Sequence, residues 1–513
     1  MKTQLLTIRN IMNSFMFAIF LIFLSGCSKE ELVDSGQREN PDAQNISDLI
    51  KNLSYNANTL LNVKETGGGP NKRTKTSDKN TSTSPNLGYY ETCNTKKYSL
   101  ETNFDDVAIL RPTNGIIWPG ALVVGNQGML DGMPDPITLG RAPVKLRIDL
   151  PGIGEKGNIV VENPTNSVVQ SSIDDALEWW NANKYQEGYI NASNSSYQST
   201  KSYSSKQVSL DVGLNLEWAT GAVASQMEYQ SSTTKRAATM VYKQVFYTVT
   251  MDTPSTPASV FGADVSLAKV ENAINDKNPP AYINSVSYGR IIMFKLETTD
   301  TNTSVDLDAV LEYAGGVNGT GTVNATYDAV LKKSSITVVT IGGNAEVASE
   351  AVSATGPGSL RSIITGKNAV YSRDNPGVPI AYTIRYLKDN TFAKMGYTTD
   401  YEVVDCSIQE YQHKNVYLDN SLLVDSRFRF AYKKKGTQTL GYTDWKKVST
   451  NASKEGIKPP SGAHGVTVQF QAWDFTWKSL GEYYLNYVSS EKNYETYCSK
   501  WVVVCTQYSV RAK

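Results

Sequence analysis

Val208-Ser209-Leu210-Asp211-Val212-Gly213-Leu214-Asn215-Leu216-Glu217-Trp218 is the stretch that decides how this chain reads. Val208, Leu210, Val212, Leu214, Leu216 and Trp218 take every second position, with Ser209, Asp211, Gly213, Asn215 and Glu217 between them. In a strand, a period of two puts the apolar groups on one face and the polar groups on the other. A turn at Ala219-Thr220-Gly221-Ala222 follows. Val223, Ser225, Met227 and Tyr229 then alternate with Ala224, Gln226, Glu228 and Gln230. The stretch predicts an amphipathic hairpin. A strand of this length spans about 36 Å at ~3.3 Å per residue. Tilted by ~45°, it covers about 25 Å, the height of the apolar band of a membrane barrel. A half-buried strand of a soluble sandwich has the same pattern.

A second stretch has the same property. Val305, Leu307, Ala309, Leu311 and Tyr313 alternate with Ser304, Asp306, Asp308, Val310 and Glu312. Beyond Ala314-Gly315-Gly316, Val317, Val323, Ala325 and Tyr327 keep the parity. Yet Leu307, Val310, Leu311 and Ala314 also form a helical stripe. A segment that needs two conformations would satisfy two periods in this way, and so would a short, weakly specified helix. Only closed barrels let strands cross lipid with all backbone groups paired. One chain supplies two hairpins, so a barrel of this kind must pool hairpins from several subunits.

The chain has 513 residues, enough for about three domains. Its formal net charge is zero, so no basic field invites nucleic acid. Its two histidines, His413 and His464, are distant in sequence and poor material for a metal or acid–base site. G-x-S-x-G, H-E-x-x-H and C-x-x-C are absent. The glycines of 316–321 do not open a helix after a strand, as phosphate binding requires. The sequence predicts no enzyme, no cofactor and no metal.

Residues 1–26 read as a signal peptide: Lys2 and Arg9 precede an apolar run over 11–24 that is too short for an ordinary spanning helix. Leu24-Ser25-Gly26-Cys27 resembles a bacterial lipobox, which makes Cys27 the lipidated residue and 27–45 a polar tether. The acidic run after Ser28-Lys29 resembles a surface-export signal, which predicts an exported lipoprotein on the outer-membrane surface or secreted. Cys93, Cys406, Cys498 and Cys505 remain, and Cys498 and Cys505 are close enough in sequence to bridge neighbouring strands. Residues 65–86, rich in Gly, Lys, Thr and Ser, read as a long loop or partly disordered insert. Strands are expected over 144–149, 244–250, 288–296 and 335–341. Helices are expected over 173–182, 267–274, 328–332 and 360–364. The class is α+β with β dominant.

Further motifs resemble a known family. Asn278-Pro279-Pro280-Ala281-Tyr282-Ile283, Val286-Ser287-Tyr288-Gly289-Arg290, Tyr242-Lys243-Gln244-Val245-Phe246-Tyr247 and Pro376-Gly377-Val378-Pro379-Ile380-Ala381-Tyr382 resemble the cholesterol-dependent, or thiol-activated, cytolysins. Leu53-Ser54-Tyr55-Asn56, Trp118-Pro119-Gly120 and Leu387-Lys388-Asp389-Asn390 fit the same family in the same order.

The resemblance implies an elongated multi-domain pore-forming toxin fold: a central antiparallel sheet flanked by helical clusters, and a C-terminal β-sandwich over 404–513. Residues 46–403 would form three discontinuous domains. The segments at about 195–234 and 301–328 would start as helices and unfurl into membrane hairpins after monomers form a ring. Val208, Leu210, Val212, Leu214, Leu216, Val305, Leu307 and Leu311 would then face lipid. Gly342-Gly343 would be the hinge that lets a short strand leave the sheet edge.

The family's tryptophan-rich loop corresponds to Gln471-Ala472-Trp473-Asp474-Phe475-Thr476-Trp477-Lys478, without its Cys, Gly and Arg. Its sterol-contacting Thr-Leu pair corresponds to Thr506-Gln507. Trp473, Phe475 and Trp477 alternate. They are either a membrane-interface tip or sandwich core. The resemblance implies a homo-oligomeric pore on a target membrane, with a lipid or glycan as receptor, whereas the departures at the loop and at Gln507 predict target binding without cholesterol. Two alternatives remain: a surface lipoprotein that binds a glycan or lipid without making a pore, and one component of a two-component pore.

Overall fold

The computed structural model describes residues 40–64, 71–109, 115–214, 235–300, 304–317, 322–342, 349–452 and 454–513. The leader, Cys27, Leu216, Trp218, the hairpin turn with its return strand, and Gly343 lie outside the described residues. Among the described residues, four sheets organise the chain.

The first is a three-stranded stalk of β1 (Asn71–Asn86), β2 (Tyr89–Phe104) and β13 (Met395–Glu410), in the order β1-β2-β13. Strands this long reach about 50 Å at ~3.3 Å per residue. Over 71–86, β1 corrects the expectation of a loop or partly disordered insert at 65–86, whose first six residues lie outside the described residues. Its Lys, Thr and Ser side chains are solvated on an edge strand, so no apolar alternation marks it, and its order comes from an antiparallel register with β2 along its whole length. The Cys93–Cys406 disulfide joins β2 to β13 at directly paired positions. The domain boundary expected at 404 falls inside β13, and the sandwich strands begin at Val416.

The central sheet has ten strands. β3 (Val107–Ala108), β4 (Leu122–Val124), β5 (Val144–Ile148) and β6 (Asn158–Val161) belong to its upper part, which packs against α1 (Ala43–Asn52), α2 (Ala57–Leu60), α3 (Asn166–Asn183) and α5 (Leu267–Ala273). The lower part is β7 (Asn194–Ser202), β8 (Arg236–Met251), β9 (Pro280–Thr298), β10 (Ser334–Ile341) and β11 (Ser349–Val352). β9 pairs with β10 along 291–298 and with β12 (Val378–Tyr386) along 281–289, so the sheet branches at Gly289.

Glycine is required at this branch. A Cβ on Gly289 would stand 1.9 Å from the Gln244 carbonyl oxygen, where β8 shifts register between Val245 and Tyr247. Arg290, fully buried beside it, donates from Nε to Gln244 Oε1 (2.6 Å) and from Nη2 to the Ile363 and Ile364 carbonyls (3.0 and 3.2 Å). It thereby ties the sheet to the end of α8 (Arg361–Ile364). Burial pushes its guanidinium down to about 10.

The C-terminal sandwich packs two sheets around Phe428, Phe430, Val468, Phe470 and Tyr494. One is β18-β14-β21-β22, of β14 (Val416–Asn420), β18 (Glu455–Ile457), β21 (Lys492–Trp501) and β22 (Cys505–Ala512). The other is β16-β15-β19-β20 with β17 on β15, of β15 (Ser426–Lys433), β16 (Leu440–Tyr442), β17 (Lys446–Val448), β19 (His464–Asp474) and β20 (Thr476–Asn486).

Candidate functional site

β8, β9 and β10 of the lower central sheet have apolar side chains buried on both faces, and their period of two sorts these between two helical clusters. Val241, Ile291, Met293 and Val339 pack on one face with Val208, Val212 and Leu214. Met240, Tyr242, Ile292, Phe294, Ile336 and Val338 pack on the other with Leu307, Val310, Leu311 and Ala314. The two stretches with alternating sequence thus lie on opposite faces of one sheet.

In the described part of the first stretch, residues Ser205–Asp211 are a helix, α4. Local signals override the period of two. The Ser204 hydroxyl accepts from the Gln207 amide, and the Gln207 side chain accepts from the Ser204 amide, a reciprocal capping box. Gly213, at φ +71°, ends the helix. Val208, Leu210, Val212 and Leu214 are all buried. In the second stretch Leu307–Gly315 forms α6, closed by Gly316 at φ +70°, and Ala325–Leu331 forms α7. Leu307 and Leu311 are buried, and Val305 packs at the edge of the cluster. The structure therefore selects the helical one of the two periods at 305–314. Residues 194–202, inside the expected hairpin segment, are already the strand β7.

Asp211 is almost fully buried and collects three partners: an ion pair from Arg73 of the stalk, the Thr200 hydroxyl (2.9 Å) and the Gln207 amide. Tyr203, Tyr401 and Tyr98 stack in series beside it, with centroids 5.9 and 5.7 Å apart. Across β7, Ser199 donates to Glu312 (2.6 Å) and Lys201 pairs with Asp306 (3.0 Å), which fastens α6. Burial, then the neighbouring Asp306, raises the Asp308 carboxyl to about 6. These clusters are fastened by polar contacts at their ends.

β11 covers the outer edge of β10 through Ile336–Val352 to Val339–Ser349 pairing. Gly342 follows β10 at φ +77°, and a Cβ there would stand 2.7 Å from the Gly289 carbonyl oxygen and 2.6 Å from Val378. The position needs glycine because three strands meet there, a steric reason beyond bendability.

The sandwich presents the β14–β15, β19–β20 and β21–β22 turns at the end away from β13. Phe475 stands alone at the β19–β20 apex with φ +56° and is 92% exposed. An aromatic residue in the left-handed region costs about 1–2 kcal/mol, a cost with no packing gain here. Trp473 and Trp477 face each other across the hairpin at 5.3 Å, edge to face. The three rings are thus neither sandwich core nor one strand face.

The β21–β22 turn is closed by the Cys498–Cys505 disulfide and exposes Trp501-Val502-Val503-Val504, with Val503 91% exposed. Thr506 and Gln507 lie in β22, exposed but past this turn, with Gln507 opposite Lys500. The apolar turn was missed in the sequence. Four apolar residues between two cysteines seven apart were the signal. Leu423, in the β14–β15 turn, adds a further apolar side chain at 70% exposure.

Among the described residues no helix is long and apolar enough to cross a membrane, which leaves strand crossing open. Glu91 lies beside Cys93 and Cys406, but the disulfide leaves no thiolate there for a metal.

This geometry defines a class: a sheet sandwiched by two helical clusters, a stalk, and an apolar-tipped sandwich. The sequence profile described as Thiol-activated cytolysin matches residues 45–411. The chain belongs to the thiol-activated, or cholesterol-dependent, cytolysin family, a family of pore-forming toxins and not of enzymes. It is 33% identical to tetanolysin of Clostridium tetani over 357 residues, covering 68% of this chain and 66% of tetanolysin. It is 29% identical to perfringolysin O of Clostridium perfringens over 412 residues, covering 78% and 79%. The crystal structure of a non-hemolytic pneumolysin from Streptococcus pneumoniae shares the fold, with TM-score 0.63 over 92% of this chain and 99% of that one at 21% identity. The profile match ends at residue 411, just before the first sandwich strand at Val416.

Proposed function

We propose that this chain is a pore-forming, cytolysin-like toxin that assembles into a ring on a target membrane and inserts two β-hairpins per subunit into a shared β-barrel. The observation that carries the reading is the double fit of residues 305–313, packed as a helix through Leu307, Val310 and Leu311 yet alternating in sequence as a strand. Val208, Leu210, Val212, Leu214, Leu216, Val305, Leu307 and Leu311 would face lipid in the inserted state. Departure of β11, hinged at Gly342-Gly343, would free the β10 edge for the next subunit.

The sandwich tip, with Phe475, Trp473, Trp477 and the 501–504 turn, would make first contact, with lipid or glycan as its receptor. Thr506 and Gln507 lie behind the turn, and apolar Val502, Val503 and Val504 occupy its apex. The tip therefore has apolar groups for bilayer contact that do not depend on a Thr-Leu pair. Export as a lipoprotein, with Cys27 lipidated, is part of the same reading.

The test is dye release from vesicles of several lipid compositions, with and without cholesterol, alongside electron microscopy of the vesicles. Rings with leakage support the proposal. Binding without rings or leakage would favour a binding lipoprotein, and leakage only on adding a related chain would favour a two-component pore.

A further inference from the structure

The outer face of the β15–β19–β20 sheet carries five planar groups in one stack: Trp477, Arg427, Trp445, Arg429 and Tyr442. The Arg427 guanidinium carbon lies 4.0 Å from the Trp477 ring centroid and 4.4 Å from that of Trp445. That of Arg429 lies 4.4 Å from Trp445 and 4.4 Å from Tyr442. Each Nε is also engaged. Arg427 donates to Gln471 Oε1 at 2.8 Å, and Arg429 to Gln469 Oε1 at 3.0 Å. Both faces and one edge donor of each guanidinium are thus held in place by the sheet.

The Nη edges are different. Among the described residues neither arginine has a carboxylate within ion-pair distance, whereas the lysines around them do. Lys447 pairs with Asp425 (2.7 Å), Lys478 with Asp474 (2.5 Å) and Lys446 with Glu455 (3.0 Å). Burial, then the charge of Arg429, pulls the Arg427 guanidinium below its usual range. Two like charges fixed one plate apart repel, and an anion across their open edges would relieve that repulsion. A guanidinium edge matches two oxygens of a phosphate.

The location narrows the source of that anion. Trp477 meets Trp473 edge to face, next to the hairpin tip at Phe475. Arg427 sits opposite Gln471, two residues from Trp473. Aromatic side chains at a membrane interface lie at headgroup level.

We propose that the Nη edges of Arg427 and Arg429 bind the phosphate of a membrane lipid headgroup as the aromatic tip enters the interface. This rests on reading the sandwich end as membrane-facing. The geometry makes the site specific to the stacked fork, beyond simple attraction of positive charge.

The experiment measures flotation of the full chain with phosphatidylglycerol-containing vesicles and with vesicles of an uncharged galactolipid that lacks phosphate. R427K/R429K keeps the charge but loses the planar fork. It should weaken binding to the phosphate vesicles by about tenfold, with R427Q/R429Q at least as weak, and neither should change binding to the galactolipid. K446Q/K478Q, which removes equal charge from nearby positions of the same sheet but of the opposite parity, should keep the preference for phosphate. Unchanged thermal melting shows that the variants fold. Wild-type binding by R427K/R429K, or an equal loss on both vesicle types, would overturn the proposal. So would equal competition by free inorganic phosphate, which would assign the site to a soluble anion. Wild type that floats with no vesicle would overturn the membrane reading itself, and this inference with it.

Discussion

Arg73 of the stalk and Asp211 at the end of α4 form an ion pair in which the carboxylate side chain is 3% exposed and the guanidinium side chain 45% exposed. The pair ties the first alternating segment to a different sheet, so the proposed extension of α4 requires this contact to break. Arg73→Ala leaves a buried carboxylate with only Thr200 and Gln207 as donors. The variant should lose about 1–3 kcal/mol in urea denaturation and should shorten the lag before vesicle leakage. A destabilised variant with an unchanged or longer lag would show that the pair does not restrain conversion.

Leu210 and Leu214 are buried in the monomer, at 1% and 0% exposure, and would face lipid in the barrel. Leu210→Arg would therefore place an unpaired charge in a packed core before any membrane is met. The folded monomer should lose several kcal/mol, read as loss of near-ultraviolet circular dichroism at room temperature. A soluble, fully folded Leu210→Arg monomer would contradict the packing of α4.

The Asp308 carboxyl titrates at about 6 in the folded chain against an ordinary 3.8, because burial and Asp306 disfavour its charge more than Lys201 favours it. Between these values the folded chain holds a proton that the unfolded chain has released. Stability should therefore fall as pH rises from about 4 to about 6, by about 1–3 kcal/mol in all. The α6 cluster is looser at neutral pH. Asp308→Asn should flatten the slope in denaturation midpoints taken across that window, and an unchanged slope would assign it to other groups.

The Cys498–Cys505 disulfide closes the turn that exposes Trp501 to Val504. C498S/C505S should cost about 1–3 kcal/mol of sandwich stability and should weaken vesicle binding by roughly tenfold, while the Cys93–Cys406 bridge keeps the stalk intact. Equal binding by the variant and wild type in a flotation assay would remove this turn from the contact surface.

The sequence made the central elements legible where burial leaves a pattern. Leu307, Val310, Leu311 and Ala314 were readable as a helical stripe, and they are the residues that pack. The strand over 335–341 was readable because it is apolar and stops at glycine. The first stretch was harder, because its alternation describes a strand while the Ser204–Gln207 box and Gly213 make a helix. β1 left no signal, since a solvated edge strand has no buried face to alternate. The Trp477–Arg427–Trp445–Arg429–Tyr442 stack joins β15 to β16, to the β16–β17 connection and to β20, so only the folded sheet reveals it.

The central claim is that one segment has two periods and uses both. A polarity-sensitive fluorophore at single introduced cysteines, walked from 305 to 314, measures this directly. In the soluble monomer the shielded positions should be 307, 310, 311 and 314, the helical set. On leaking vesicles they should become 305, 307, 309, 311 and 313, with 306, 308, 310 and 312 in water. The same helical set on membranes as in solution would contradict conversion to a membrane strand.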